Sequence, residues 1–175
     1  MAAGAAVARL ILDENPLTGG KWNDVDKDIT GVTSLCDSLK TSSVTELGLA
    51  KCRLGPGSLG KLTEYVRDAE AVLTSINCLA NQFGDDDLAI LPTAIEGTSV
   101  RSLCGLTEGQ TVADFSGQNL GPIDVKIMAA ECGFQGFIAA LNEVNVAFNK
   151  IGSEGGIALR DALIEAIERR SFVLE

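Results

Sequence analysis

The chain has 175 residues, 46% of them hydrophobic and 22% charged, a balance that suits a folded core and argues against disorder. Its 14 basic and 24 acidic residues leave a net charge of -10, which repels phosphate backbones and anionic lipid surfaces, so neither nucleic acid nor membrane is an expected partner. The absence of histidine excludes His-based acid–base chemistry, the Ser-His-Asp triad and His-ligated metals.

The opening run MAAGAAVARLIL is too short to span a bilayer, has Arg9 inside it and lacks the basic start of a secretory signal. The expectation is a soluble, cytoplasmic protein. Cys36, Cys52, Cys78, Cys104 and Cys132 are odd in number and widely spaced with no C-x-x-C pair, so reduced buried thiols are expected instead of a disulfide framework or a zinc knuckle.

One apolar pattern then recurs along the chain. It reads Val7-x-x-Leu10-x-Leu12-x-x-Asn15-x-Leu17, then Val44-x-x-Leu47-x-Leu49-x-x-Cys52-x-Leu54, then Leu73-x-x-Ile76-x-Cys78-x-x-Asn81-x-Phe83. A looser copy runs Ala113-x-Phe115-x-x-Gln118-x-Leu120, and the fullest is LNEVNVAFNKI from Leu141 to Ile151. The markers Leu10, Leu47, Ile76, Ala113 and Val144 lie 37, 29, 37 and 31 residues apart, so two intervals carry insertions of about eight residues. In each copy the alternating apolar pair turns one face of a short strand inward. The Asn or Cys after that pair ends the strand, where an amide or thiol meets backbone groups that the turn leaves unpaired. Gln118 departs from this rule and makes the fourth copy the weakest.

Helical signals come after most of these strands. Ser58 to Ala71 spaces Leu59, Leu62, Val66 and Ala69 helically behind Ser58 as a cap, Pro122 to Glu131 opens on a first-turn proline, and Ile157 to Ile167 keeps its charges on one side. After the third strand, Asp85-Asp86-Asp87 reads as an acidic helix start, while Pro92 is expected to shorten or kink that helix.

Two segments break the rhythm. Lys21 to Asp28 holds Asp24, Asp26 and Asp28, the D-x-D-x-D start of a calcium loop, but Ile29 and Leu35 stand where that loop needs Gly and Glu. A solvated acidic loop or helix start is the main reading, and a weak divalent-metal site the other. Trp22 in the same segment is read as packing over the helices, with an exposed interaction anchor as the alternative. Val100 to Val112 is either a hairpin turning at Thr107-Glu108-Gly109-Gln110 or a degenerate strand built on Val100 and Leu103.

The strand pattern, the long helical return and the apolar-Gly steps Leu54-Gly55, Phe83-Gly84, Leu120-Gly121 and Ile151-Gly152 resemble leucine-rich repeats of the ribonuclease-inhibitor type. The resemblance covers essentially the whole chain. It implies an α/β fold, a solenoid or curved horseshoe segment of about five repeats over residues 1–175, with insertions near 21–28 and 100–112. A parallel sheet would line its concave face and helices its convex face, and the family's habit implies a non-catalytic scaffold that binds a protein partner without a cofactor. The alternatives are a GTPase-activating or other regulatory repeat protein, for which Arg9, Arg53 and Arg101 are the candidate arginines, and a calcium-responsive adaptor.

In this register three outward rows form the candidate binding face. The middle row carries Ile11, Gly48, Asn77, Asp114 and Asn145; the preceding row carries Arg9, Glu46, Ser75, Val112 and Glu143; the third row carries Asp13, Ala50, Leu79, Ser116 and Ala147. No polar capping module is visible at either end, so either the chain is a fragment or short member of a longer array or its ends pair with another copy; self-association through an end strand or end helix, a homo-oligomer, is the expectation.

Overall fold

The computed structural model describes residues 6–19, 24–68, 72–132 and 141–172. Among them strands and helices alternate: β1 Arg9–Ile11, α1 Thr30–Leu39, β2 Glu46–Gly48, α2 Pro56–Asp68, β3 Ser75–Asn77, α3 Asp85–Ile95, β4 Val112–Asp114, α4 Pro122–Cys132, β5 Glu143–Asn145 and α5 Gly152–Phe172. The fold is mixed α/β, with two small parallel sheets and five helices among the described residues: β1-β2-β3 in one sheet, β4-β5 in the other. Because each helix returns the chain to the same end, successive strands pair in parallel. The register is constant: Arg9, Glu46 and Ser75 stand side by side, as do Leu10, Leu47 and Ile76, and Val112 is opposite Glu143.

The inward pattern residues Leu47, Leu49, Ile76, Cys78, Ala113 and Phe115 form one buried core with Leu54, Leu59, Leu62, Leu73 and Leu103. Helix α1 carries Val32, Cys36 and Leu39 into that core at helical spacing. Helix α3 begins at Asp85, as its three aspartates favour, and runs through Pro92 to Ile95. Helix α2 begins two residues ahead of Ser58, which is therefore inside it and not its cap; Ala69, expected on the same helix, lies outside the described residues.

The asparagines of the pattern tie one turn to the preceding one. Asn81 Oδ1 accepts the Cys52 and Leu54 N–H groups, each at 3.0 Å, while its Nδ2 donates to the Leu49 carbonyl at 2.8 Å and the Cys78 carbonyl at 2.9 Å. Asn149 does the same in the last turn, accepting from Leu120 N–H at 3.0 Å and donating to the Phe115 carbonyl at 2.8 Å. Cys52 in the equivalent place donates its thiol to the Leu12 carbonyl at 3.1 Å. Gln118 makes no such link; its Nε2 donates back to its own strand at the Asp114 carbonyl.

Between β3 and β4 the degenerate-strand reading of Val100 to Val112 is the better description. Ser102 and Leu103 carbonyls accept the Ile76 and Cys78 N–H groups at 2.9 and 3.0 Å, and Gly105 N–H returns to the Ile76 carbonyl at 2.9 Å, so the segment lies along β3 as a further, broken rung. A hairpin ladder does not form, because β4 pairs with β5 and the 107–110 turn merely carries the chain between rungs. On its other side the broken rung faces no described strand. There Glu131, 1% exposed at the end of α4, accepts the Leu103 and Cys104 N–H groups on Oε2, each at 3.0 Å, and Ser102 Oγ accepts Leu106 N–H at 2.9 Å. A carboxylate and a hydroxyl thus replace the carbonyls of a missing strand.

Candidate functional site

The outward rows are only partly surface. Ser75 is 2% exposed because the broken rung runs beside it, and Leu79 is fully buried in the core, so neither belongs to a binding face. Gly48 and Ala50 are buried as well. A Cβ on Gly48 would stand 2.7 Å from Asp13 Oδ1 and 2.9 Å from Ile11 Cδ1, showing that both side chains lean over it from the preceding rung.

Several of the remaining polar positions serve the backbone. Asn77, Asp114 and Asn145 each accept, on Oδ1, the N–H two residues on, from Leu79, Ser116 and Ala147 at 3.2, 2.9 and 3.0 Å. Side chains of this kind mimic a turn and close the strand end. The second rung has no such side chain at Gly48, and Asp13 reaches across to take the Ala50 N–H at 2.8 Å in its place. Ser116, through its hydroxyl first and then its N–H, holds the Asp114 carboxyl below the usual carboxylate range. Arg9 and Glu46 form an ion pair across rungs at 3.2 Å. What stays open on the face is Arg9, Ile11, Val112, Asp114, Glu143 and Ala147, with Asp13, Glu46, Asn77, Ser116 and Asn145 half-buried.

The acidic loop has a structural job. Asp26 lies against the start of α2, where its carboxylate accepts Gly55 N–H at 3.1 Å, Gly57 N–H at 2.7 Å and Ser58 N–H at 3.1 Å, together with the Ser58 hydroxyl. Gly55 permits this approach, since a Cβ there would meet Val25 Cγ1 at 2.4 Å. Asp28 accepts the Thr30 N–H at 2.9 Å and the Thr30 hydroxyl at the start of α1, and Asp24 pairs with Lys27 at 3.2 Å. The three carboxylates serve three different places, and no metal-binding group of three or more His, Cys, Asp or Glu occurs among the described residues. The segment fits the loop and helix-start reading, with Asp26 at the start of α2, Asp28 at the start of α1 and Asp24 in an ion pair, and the three do not converge on one point. Trp22 lies outside the described residues. Changing Asp26 to Ala should remove the α2 cap at a cost of about 1–2 kcal/mol, lowering Tm by roughly 2–8 °C, and should do so equally with calcium and with chelator in a thermal melt.

Helices α3 and α4 start on a related device within their own turn. Gly84 N–H donates to Asp87 Oδ2 at 2.7 Å and Gly121 N–H to Asp124 Oδ2 at 2.8 Å. Asp124 also accepts Ala80 N–H on Oδ1 at 2.6 Å, which ties α4 directly to the turn after β3.

The described thiols lie in the hydrophobic core. Cys36, Cys52, Cys78 and Cys104 are all buried, and burial pushes Cys36 and Cys52 up to about 11 and Cys78 to about 12. Of the candidate arginines, Arg101 Nη1 donates to the Thr98 carbonyl at 2.8 Å, Arg9 is paired as above, and Arg53 has its Nη1 buried.

A further feature of this edge was not anticipated in the sequence. The residue just before each Asn, Cys or Gln of the pattern is left-handed: Glu14, Lys51, Ala80, Gly117 and Phe148 have φ of 64, 56, 55, 65 and 58°. That conformation costs steric energy for bulky residues, and four of the five positions are polar or small. Phe148 is neither, and it stands 92% exposed beyond the end of β5. Aligning the five copies on their Asn position would have exposed it as the odd member of its column.

No family model and no curated protein sequence matches the chain. Among solved structures, the tropomodulin C-terminal domain of Caenorhabditis elegans is similar at 17% identity, over 95% of this chain and 87% of that one, with a TM-score of 0.48. A likeness at that level carries no functional conclusion.

Proposed function

We propose that the chain is a segment of a leucine-rich-repeat solenoid, a single domain with its sheet on the concave side and its helices on the convex side, acting as a non-catalytic scaffold for a protein partner. Phe148 carries this reading. An aromatic ring held in solvent on a left-handed backbone position does nothing for the fold that a small residue would not do better, and aromatic side chains of this kind are what interfaces bury at their centre. The open positions Glu143 on β5 and Val112 and Asp114 on the neighbouring β4 supply a polar and apolar rim.

The test is affinity capture from the source cell with the unaltered chain and with Phe148→Gly. Relief of left-handed strain and the extra freedom of the unfolded glycine oppose each other, so stability should stay within about 1 kcal/mol. Partner affinity should fall by about 30-fold or more, the size expected for a buried aromatic anchor. An unchanged set of captured proteins at unchanged affinity would remove Phe148 from the function.

A further inference from the structure

The two terminal rungs of the described array have complementary edges. Inside each sheet the backbone bonds run in one sense: Leu12 N–H donates to the Gly48 carbonyl, Leu49 N–H to that of Asn77 and Phe115 N–H to that of Asn145, at 2.8–2.9 Å. Each inward residue thus donates forward to the middle-row carbonyl of the next strand. By the same alternation Val146 N–H points off the side of β5, and the Ile11 carbonyl off the side of β1, that no other described strand covers. One end offers the donors that the other end's acceptors lack.

Side chains at the two ends match in the same register. Arg9 pairs with Glu46 on the neighbouring rung, and Glu143 on β5 occupies the row position of Glu46. Asn81 and Asn149 use Oδ1 to accept N–H groups from the rung before them, whereas Asn15 bonds only to its own turn, through Nδ2 to the Leu12 and Asp13 carbonyls. No described group donates to Asn15 Oδ1, which by analogy with Asn81 faces where a preceding rung would be. Burial of the inward residues agrees with this: Leu47, Ile76 and Ala113 are at most 2% exposed, but Val144 is 38% exposed at one end and Leu10 is only half-buried at the other.

We propose that a second copy of this chain adds its β1 edge to the β5 edge, head to tail and in parallel, so that Arg9 of the second copy faces Glu143 and Asn15 of the second copy accepts the Asn149 and Ile151 N–H groups. The contact is heterologous, with different surfaces on the two sides. It leaves one β1 edge and one β5 edge free and grows into open chains instead of stopping at a dimer.

Sedimentation over a wide concentration range tests this on the full chain, with circular dichroism to show that each variant is folded. The unaltered chain should reach masses above the dimer. Arg9→Glu and Glu143→Arg, both at exposed positions, each set like charges against each other in the proposed contact and should weaken self-association at least tenfold. In an equimolar mixture both junctions between unlike variants pair opposite charges, so the two variants should alternate and growth past the dimer should return. Monomer at every concentration of the unaltered chain overturns the proposal. So does a folded pair of variants that fails to associate on mixing. If Glu143→Arg is monomeric while Arg9→Glu assembles like the unaltered chain, the contact joins two β5 edges and the head-to-tail arrangement is wrong.

Discussion

Replacing Glu131 by leucine is expected to lower Tm at neutral pH by about 5–15 °C, because the Leu103 and Cys104 N–H groups lose their acceptor in a place water does not reach, at about 1–3 kcal/mol each. The informative comparison is Glu131→Gln, which keeps an acceptor oxygen and discards the charge. Burial raises the Glu131 carboxyl above its ordinary value, against the opposing pull of the Cys104 and Ser102 side chains and the two N–H groups. Its Oε1 is buried without a donor, so a proton placed there removes the charge while Oε2 keeps both bonds. A carboxyl raised on folding contributes stability that is fully present below its unfolded value and is lost as pH rises through its folded value. Glu131→Gln should therefore remove a decline in stability above the ordinary carboxylate range and melt no lower than the unaltered chain at pH 7. Thermal melts from acid to neutral pH check both statements; a Glu131→Leu chain as stable as the original would show that the broken rung does not depend on this carboxylate.

How far the sequence could be read depends on which interactions are local. The strands around Leu47, Ile76 and Val144 were legible because an inward-facing pair imposes a period of two on neighbouring residues. Helices α2, α4 and α5 are legible from their own periodicity, and α1 has the same signal in Val32, Cys36 and Leu39. Asp26 shows what is not local. Its sequence neighbours Asp24 and Asp28 advertise calcium, while the N–H groups it serves lie 29 to 32 residues away at Gly55, Gly57 and Ser58. Glu131 is hidden for the same reason, being an ordinary helix residue until Leu103, 28 positions earlier, is placed beside it. The candidate face failed at Ser75 because alternation assigns a side of the sheet but says nothing about a further rung lying alongside. It failed at Leu79 because alternation ends where the turn begins.

Changing Asn81 to leucine should cost about 4 kcal/mol or beyond and roughly 10–15 °C in Tm, since one side chain serves two donors and two acceptors of the backbone. Cys52, Leu54, Leu49 and Cys78, whose backbone groups it pairs, are all at most 2% exposed, so water cannot replace the amide. Leucine matches the volume but leaves all four groups unpaired, and Asn81→Asp keeps only the acceptor half while placing a charge against the Leu49 and Cys78 carbonyls. The position sets a ranking within the chain. Asn149 links to one N–H of the preceding turn where Asn81 links to two, so Asn149→Leu should cost less than Asn81→Leu. Asn15 bonds only within its own exposed turn, so Asn15→Leu should leave the melting of a dilute monomer within about 1 kcal/mol of the original. A flat series across Asn15, Asn81 and Asn149 would mean that the amides act on their own turns alone, and that the links between rungs rest on the strand ladder and the core.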